Sequence, residues 1–315
     1  MQRLTMLDTD DKQCPVCDYE RIIFFCEKEN SQYARCERCQ HAFLTGSADV
    51  KAYEEFYQTR TSHHASEKKL DWDYSDQKLR YVYAPLLSAL SRFSSPGKLV
   101  DVGCSNGAFV RAASKTGWDA VGVELEKASA ETAIRNGVNV VNDDLVNVGF
   151  SENSINCVTM WQLIEHIGDP TPLLKEITRI LRPGGILAVS TPNIQSIAWT
   201  LLGARWRAVD PSVHLHLFSV KSLRLLFERH GFEVDWVATK DIKPTTIRDL
   251  MRSKGGNATH ARQQKSSVAE FATSSGGFKL AVLFAGLRVV NAPLNWFGIG
   301  EDIYMVLRKP SPGHP

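Results

Sequence analysis

An excess of charge of either sign is missing from this chain. Its 315 residues set 37 Lys and Arg against 35 Asp and Glu, a formal net charge of +2. So balanced a chain spreads no large field, which argues against a nucleic-acid target, local patches aside. The opening residues, MQRLTMLDTDDKQ, lack the apolar core of a secretory signal, so the cytoplasm is the expected compartment. The apolar run FKLAVLFAGLRVVN at 278–291 is too short to span a bilayer. What is present suits a globular protein: a hydrophobic fraction of 43% supports a packed core. The length favours about two domains.

The most informative stretch is LVDVGCSNGAFV, from Leu99 to Val110. It reads as an apolar strand over Lys98 to Val102, a turn of small residues, and a helix. Gly103 and Gly107 supply room for a ligand to approach exposed backbone N–H groups. Dinucleotide-binding folds use a similar device, so the turn alone does not decide between ligands. The next strand, DAVGVEL, ends at Glu124, about 20 residues on, where a carboxylate can accept from both hydroxyls of a ribose.

With these residues in view, the chain resembles the class I S-adenosylmethionine-dependent methyltransferases, specifically bacterial members with an N-terminal cysteine-rich module. The family's first strand ends in an acidic residue before Gly-x-Gly-x-Gly; here the string is Asp101-Val-Gly103-Cys104-Ser105-Asn-Gly107. Ser105 replaces the middle glycine. Asp144, followed by Leu145, matches the acidic residue near the adenine amino group, with Asp143 the neighbouring candidate. SINCVTMWQLIEHIGDP matches the fourth strand and its "EH" turn, LLKEITRILRPGGILAVSTPN a helix, a Pro-Gly-Gly turn and the fifth strand. HLHLFSVKSLRLLFERHGFEV matches the late helix and sixth strand. The resemblance implies an α/β fold: a doubly wound, Rossmann-like methyltransferase sheet. It implies S-adenosylmethionine as cofactor, held by Asp101, Gly103, Cys104, Ser105, Gly107, Glu124 and Asp144, with Trp161 and Gln162 beside the transferring methyl.

Cysteine spacing carries a second signal. Cys14-Pro-Val-Cys17 and Cys36-Glu-Arg-Cys39 form two Cys-x2-Cys knuckles, the pattern of a four-thiolate structural zinc site. A segment of about 30 residues buries too little apolar surface to fold alone, and a metal ion supplies the difference. Two disulfides are the alternative, disfavoured in a reducing compartment; His41 is the alternative to Cys39 as fourth ligand. Cys26, Cys104 and Cys157 read as packing residues, Cys104 also lining the cofactor turn by position.

The expected organisation is a four-cysteine zinc-binding module over 1–45, with a small zinc-ribbon-like fold, a helical linker or cap over 46–95, and the methyltransferase domain over 96–315. Strands alternating with helices imply right-handed βαβ units with ligands at the carboxyl ends of the strands. EDIYMVLRK reads as a last strand, antiparallel to FEVDWVATK. Between them lies an insertion at 245–300, whose stretch 253–291 is the least readable. Its apolar helix is expected to pack on the core or in a dimer contact, the sharper reading being peripheral contact with the inner face of the membrane. In the cap, Tyr53, Tyr57, Trp72 and Tyr81 are expected to pack on the domain and are candidates to touch substrate.

A sugar hydroxyl needs its proton taken before it attacks a methyl group. His166 and His214 are the candidate catalytic bases, with His216 beside them, since imidazole titrates near neutrality. Trp206 between Arg205 and Arg207 invites a stacking platform beside a phosphate-binding cation. The Cys-x2-Cys head and tyrosine-rich linker resemble methyltransferases of polysaccharide and secondary-metabolite pathways, which implies a small-molecule or lipid-linked glycan acceptor. The competing readings are a ribosomal-RNA base methyltransferase docking through its zinc module, and a cofactor-binding scaffold without catalysis.

Overall fold

Strands Lys98–Val102 and Ile155–Trp161 are buried at nearly every residue, as strands covered on both faces are. They form the centre of the sheet in a computed structural model that describes residues 13–45, 76–240, 242–253 and 297–311. In chain order the elements are β1 (Ile22–Lys28), β2 (Ser31–Cys36), β3 (Ala42–Thr45), α1 (Asp76–Leu90), β4 (Lys98–Val102), α2 (Ala108–Ser114), β5 (Asp119–Val123), α3 (Lys127–Arg135), β6 (Val140–Val141), α4 (Leu145–Val148), β7 (Ile155–Trp161), α5 (Thr171–Ile180), β8 (Leu181–Pro192), α6 (Ile197–Leu202), β9 (His216–Leu217), α7 (Val220–Arg229), β10 (Glu233–Lys240), α8 (Pro244–Ser253) and β11 (Asp302–Arg308).

The main sheet has seven strands in the order β10-β11-β8-β7-β4-β5-β6. Neighbours from β8 through β6 are parallel, whereas β11 runs antiparallel to both β8 and β10. The sheet is therefore mixed, and β10–β11 is the expected antiparallel pair. Chain order reverses between β4 and β7, and an open α/β sheet binds its ligands at such a crevice. Leu99, Val100, Cys157, Val158, Met160, Leu187, Val189, Ile303 and Leu307 are each no more than 1% exposed and fill the layer between sheet and helices. The Pro-Gly-Gly turn is drawn into the start of β8. There a Cβ on Gly185 would stand 2.8 Å from the Arg182 carbonyl oxygen, so only glycine fits.

The N-terminal residues form a second, four-stranded antiparallel sheet, β1-β2-β3-β9, whose last strand comes from the far end of the methyltransferase sequence. Ala42 pairs with Leu217 and Phe43 with His216. Side chains seal this junction. Cys26, Tyr33 and Ala42 share a buried cluster with Ile194, Ala198, Leu202, Trp206, Val209 and Leu217. The Tyr33 hydroxyl donates to the His214 carbonyl at 2.7 Å, and the Ser219 hydroxyl donates to the Cys39 carbonyl at 3.0 Å.

Of the expected cap, α1 is described, and Leu79, Leu87 and Leu90 bury one face of it. Tyr53, Tyr57, Trp72 and the side chain of Tyr81 lie outside the described residues, as does nearly all of the 253–291 stretch. No helix among the described residues is long and apolar enough to cross a membrane.

Candidate active site

The turn after β4 is built as its residues require. Gly103 (φ 69°), Ser105 (φ 51°) and Gly107 (φ 75°) all take left-handed backbone. This costs glycine little and serine more. A Cβ on Gly103 would stand 2.8 Å from Leu163 Cδ1, so position 103 is closed to larger residues on two counts. Gly107 is the N-cap residue of α2. Glu124 ties the turn to β5: its Oε2 accepts from the Ser105 N–H and its Oε1 from the Glu126 N–H, both at 2.8 Å. Burial raises the affinity of this carboxyl for a proton, partly offset by those two N–H donors.

Asp101 is the penultimate residue of β4, 2% exposed, with one oxygen accepting from the Thr159 hydroxyl at 2.6 Å. Burial pushes its carboxyl up to about 7, against the opposing pull of the Thr159 bond. Thr159 was invisible as a site residue; its only signal is that it pairs with Asp101 across the β4–β7 ladder. Cys104 packs inward: a Cβ on Gly122 would stand 2.4 Å from its sulfur, so that sulfur fills the space beside Gly122. Asp144 caps α4, accepting from the Val146 N–H at 3.2 Å, while Asp143 accepts from the Asp144 N–H and the Asn147 amide.

Trp161 is half-buried and meets Phe109 of α2 edge to face, ring centres 5.4 Å apart, with its indole N–H buried and unpartnered. Gln162 leaves the strand in left-handed backbone (φ 53°), with its amide 3.2 Å from the Ser190 hydroxyl. A short 3-10 turn, Ile164–His166, follows. His166 Nδ1 lies 2.6 Å from the Val213 carbonyl, and His214 Nδ1 lies 2.7 Å from the Ala208 carbonyl. The two rings stand 4.8 Å apart, so the structure brings the two candidate catalytic histidines together. Burial lowers both, His166 to about 4.

His216 belongs elsewhere. Its Nδ1 pairs with His41 Nε2 at 3.0 Å and its Nε2 faces the Gly168 carbonyl at 3.1 Å, inside the junction of the two sheets. His41 is not in the ligand cluster, which comprises Cys14, Cys17, Cys36 and Cys39. Trp206 corrects the expectation of a stacking platform: it is 2% exposed, and its indole N–H points at Glu301 at 3.4 Å. Beside it, Arg207 is paired with Asp249 at 2.7 Å.

Cys14, Cys17, Cys36 and Cys39 converge, their sulfurs all within 4.8 Å of one another. Cys14 faces Cys39 and Cys17 faces Cys36, both pairs at 3.6 Å, and none is in a disulfide. Zinc–sulfur bonds of about 2.3 Å put tetrahedral sulfurs about 3.8 Å apart, so the four thiols fit a zinc ion. Each knuckle closes alike: the Asp18 N–H donates to the Cys14 carbonyl at 2.9 Å and the Gln40 N–H to the Cys36 carbonyl at 3.0 Å. Asp18 and Gln40 both take left-handed backbone there.

The mixed seven-stranded sheet, the turn at its switch point and the paired carboxylates Asp101 and Glu124 define an α/β protein built for a nucleoside-bearing cofactor. Residues 75–237 match the family model of a methyltransferase domain. The chain belongs to the class I S-adenosylmethionine-dependent methyltransferases. It is 30% identical over 118 residues to a ubiquinone biosynthesis O-methyltransferase of Methylococcus capsulatus, covering 35% of this chain and 50% of that one. A namesake from Psychrobacter arcticus is 24% identical over 167 residues, 49% of this chain and 65% of that one. The chain thus spans half to two thirds of the length of these relatives. A methyltransferase structure from Archaeoglobus fulgidus aligns with a TM-score of 0.49 at 18% identity, over 78% of this chain and 99% of that one.

Proposed function

We propose that this chain transfers a methyl group from S-adenosylmethionine to a hydroxyl of a small-molecule acceptor, a sugar being the first choice. The observation that carries this reading is that the turn after β4, tied to Glu124 through Ser105, lies beside the turn after β7, where Leu163 stands against Gly103 and the His166–His214 pair follows. When bound, the cofactor supplies an electrophilic methyl on a sulfonium. The chain supplies position: Asp101 and the turn hold the methionine portion, Glu124 the ribose and Asp144 the adenine. Gln162, fixed on Ser190, flanks the methyl. Much of the acceleration in such a displacement comes from alignment. The acceptor hydroxyl must also give up its proton, and His166 and His214 mark where.

The O-methyltransferase names of the relatives support oxygen as the methylated atom. The four-cysteine cluster, in its structural role, binds zinc and ties the N-terminal sheet to the strand that follows His214. Charge on that module argues against RNA: Arg21 is paired with Glu37 at 3.1 Å and Arg229 with Asp18. The test is to incubate the purified chain with methyl-labelled S-adenosylmethionine and an extract of cells lacking it, then fractionate the label. Label in nucleotide-linked or lipid-linked sugars supports the reading; label in RNA or protein refutes it.

A further inference from the structure

One donor at the mouth of the site is left over: the indole N–H of Trp161, buried and without a hydrogen-bond partner. A buried N–H left bare is costly and calls for an explanation. Its place on the strand says what it faces. Val102 pairs with Met160 across the β4–β7 ladder, so Trp161 follows level with Gly103, at the carboxyl end of the sheet. Alternate residues of a strand share a face. Trp161 therefore shares its face with Thr159, which donates to Asp101. The indole is the next side chain above the Asp101–Thr159 pair, about 6.6 Å further along the strand.

We propose that the Trp161 indole N–H donates to the α-carboxylate of the cofactor's methionine end, while Asp101 takes the α-ammonium on the same carbon. The proposal deepens the methyl-transfer reading and rests on it. An ammonium and a carboxylate on one carbon, with a hydrogen bond reaching outward from each, span about the distance between two side chains so placed.

Two further observations leave Trp161 as the donor. The N–H groups of the turn are largely engaged already. Those of Gly103 and Cys104 donate to the Val123 carbonyl, that of Gly107 to the Cys104 carbonyl, that of Ser105 to Glu124 and that of Ala108 to the Asn106 side chain. The charged neighbour that acts on Asp101 is Glu124, another acid, so a carboxylate arriving there gains no countercharge from it and depends on neutral donors. The indole is also held ready. Its ring meets Phe109 edge to face with centres 5.4 Å apart, and Phe109 meets Tyr83 in the same manner at 5.7 Å. Phe109 itself is buried. A donor fixed in advance loses little freedom when the ligand arrives, and its apolar surroundings strengthen the bond it makes.

The probes are S-adenosylhomocysteine and methylthioadenosine, which share the nucleoside and the thioether; the second lacks the amino-acid end. Trp161→Phe removes the N–H and keeps a ring against Phe109. In calorimetry with the full chain, this variant should bind S-adenosylhomocysteine about 10- to 100-fold more weakly, as loss of a hydrogen bond to a charged group requires. Methylthioadenosine should bind it as it binds the wild type. A merely structural role for Trp161 would weaken both ligands alike, and that result, or unchanged affinity for both, would overturn the proposal. Should the variant not fold, NMR of the wild-type chain carries the test. The Trp161 indole N–H signal, assigned through the backbone, should move downfield with S-adenosylhomocysteine and stay with methylthioadenosine; the same response to both would overturn the proposal. Wild-type affinity for S-adenosylhomocysteine tests the methyl-transfer reading by itself. Binding there without dependence on Trp161 removes the carboxylate assignment alone, whereas no binding to the wild type removes both.

Discussion

Asp101 offers a pH test with a defined sign. Its carboxyl is raised from 3.8 to about 7 in the free protein by burial. If it pairs with the cationic methionine end of the cofactor, it must be ionised in the complex. Binding near pH 6 should therefore expel about 0.9 proton from Asp101, and near pH 8 about 0.1. Affinity should fall by up to about tenfold per pH unit below 7. Calorimetry with S-adenosylhomocysteine in buffers of different ionisation enthalpy counts those protons directly. Asp101→Asn should bind weakly and lose the proton release, which separates Asp101 from Glu124, also raised by burial. The fold responds in the opposite sense. A raised folded-state pKa stabilises the cofactor-free protein below pH 3.8 and loses that contribution as pH rises through about 7, a swing of about 4 kcal/mol at most. Proton release that persists unchanged in Asp101→Asn would refute the assignment.

Glu124→Ala removes the acceptor of the Ser105 and Glu126 N–H groups and should weaken cofactor binding by roughly 1–3 kcal/mol, read by calorimetry. Gly103→Ala combines a left-handed φ with a clash on Leu163 and should destabilise by about 1–3 kcal/mol in thermal melts. Cys36→Ser should release zinc, by elemental analysis, and unfold the N-terminal sheet while S-adenosylhomocysteine still binds. His166→Ala should cut turnover far more than cofactor affinity; equal turnover would return His166 to a purely structural role.

The strand–turn–helix at Asp101, the order of motifs along the chain, the four-cysteine cluster and the β10–β11 pair were legible because each depends on local spacing or chain order. What escaped depends on contacts distant in sequence. Nothing near Ala42 announces that its strand pairs with Leu217, and HLHL reads alike as site or as junction. The fold splits it, turning His214 to the site and His216 to His41. Trp206 between two arginines looks exposed until Cys26 and Tyr33 of the other sheet cover it. Glu165 stood in plain view within the "EH" pair, but only the fold shows that its carboxylate is buried against the Thr191 hydroxyl.

The pairing of β3 with β9 also sets an order of events in folding. The edge of β3 is complete once residue 45 has emerged from the ribosome, but its partner is synthesised only at His216 and Leu217. Closing so long a loop costs entropy before any contact repays it, and contacts of this range are slow to form. A metal clasp on the two knuckles offsets that delay. It holds the β1–β3 hairpins formed, with a ready edge, while the intervening sheet assembles, so that β9 arrives at a template instead of an unfolded segment. Zinc supply during synthesis should then govern the yield of folded chain more strongly than zinc removal afterwards governs its survival.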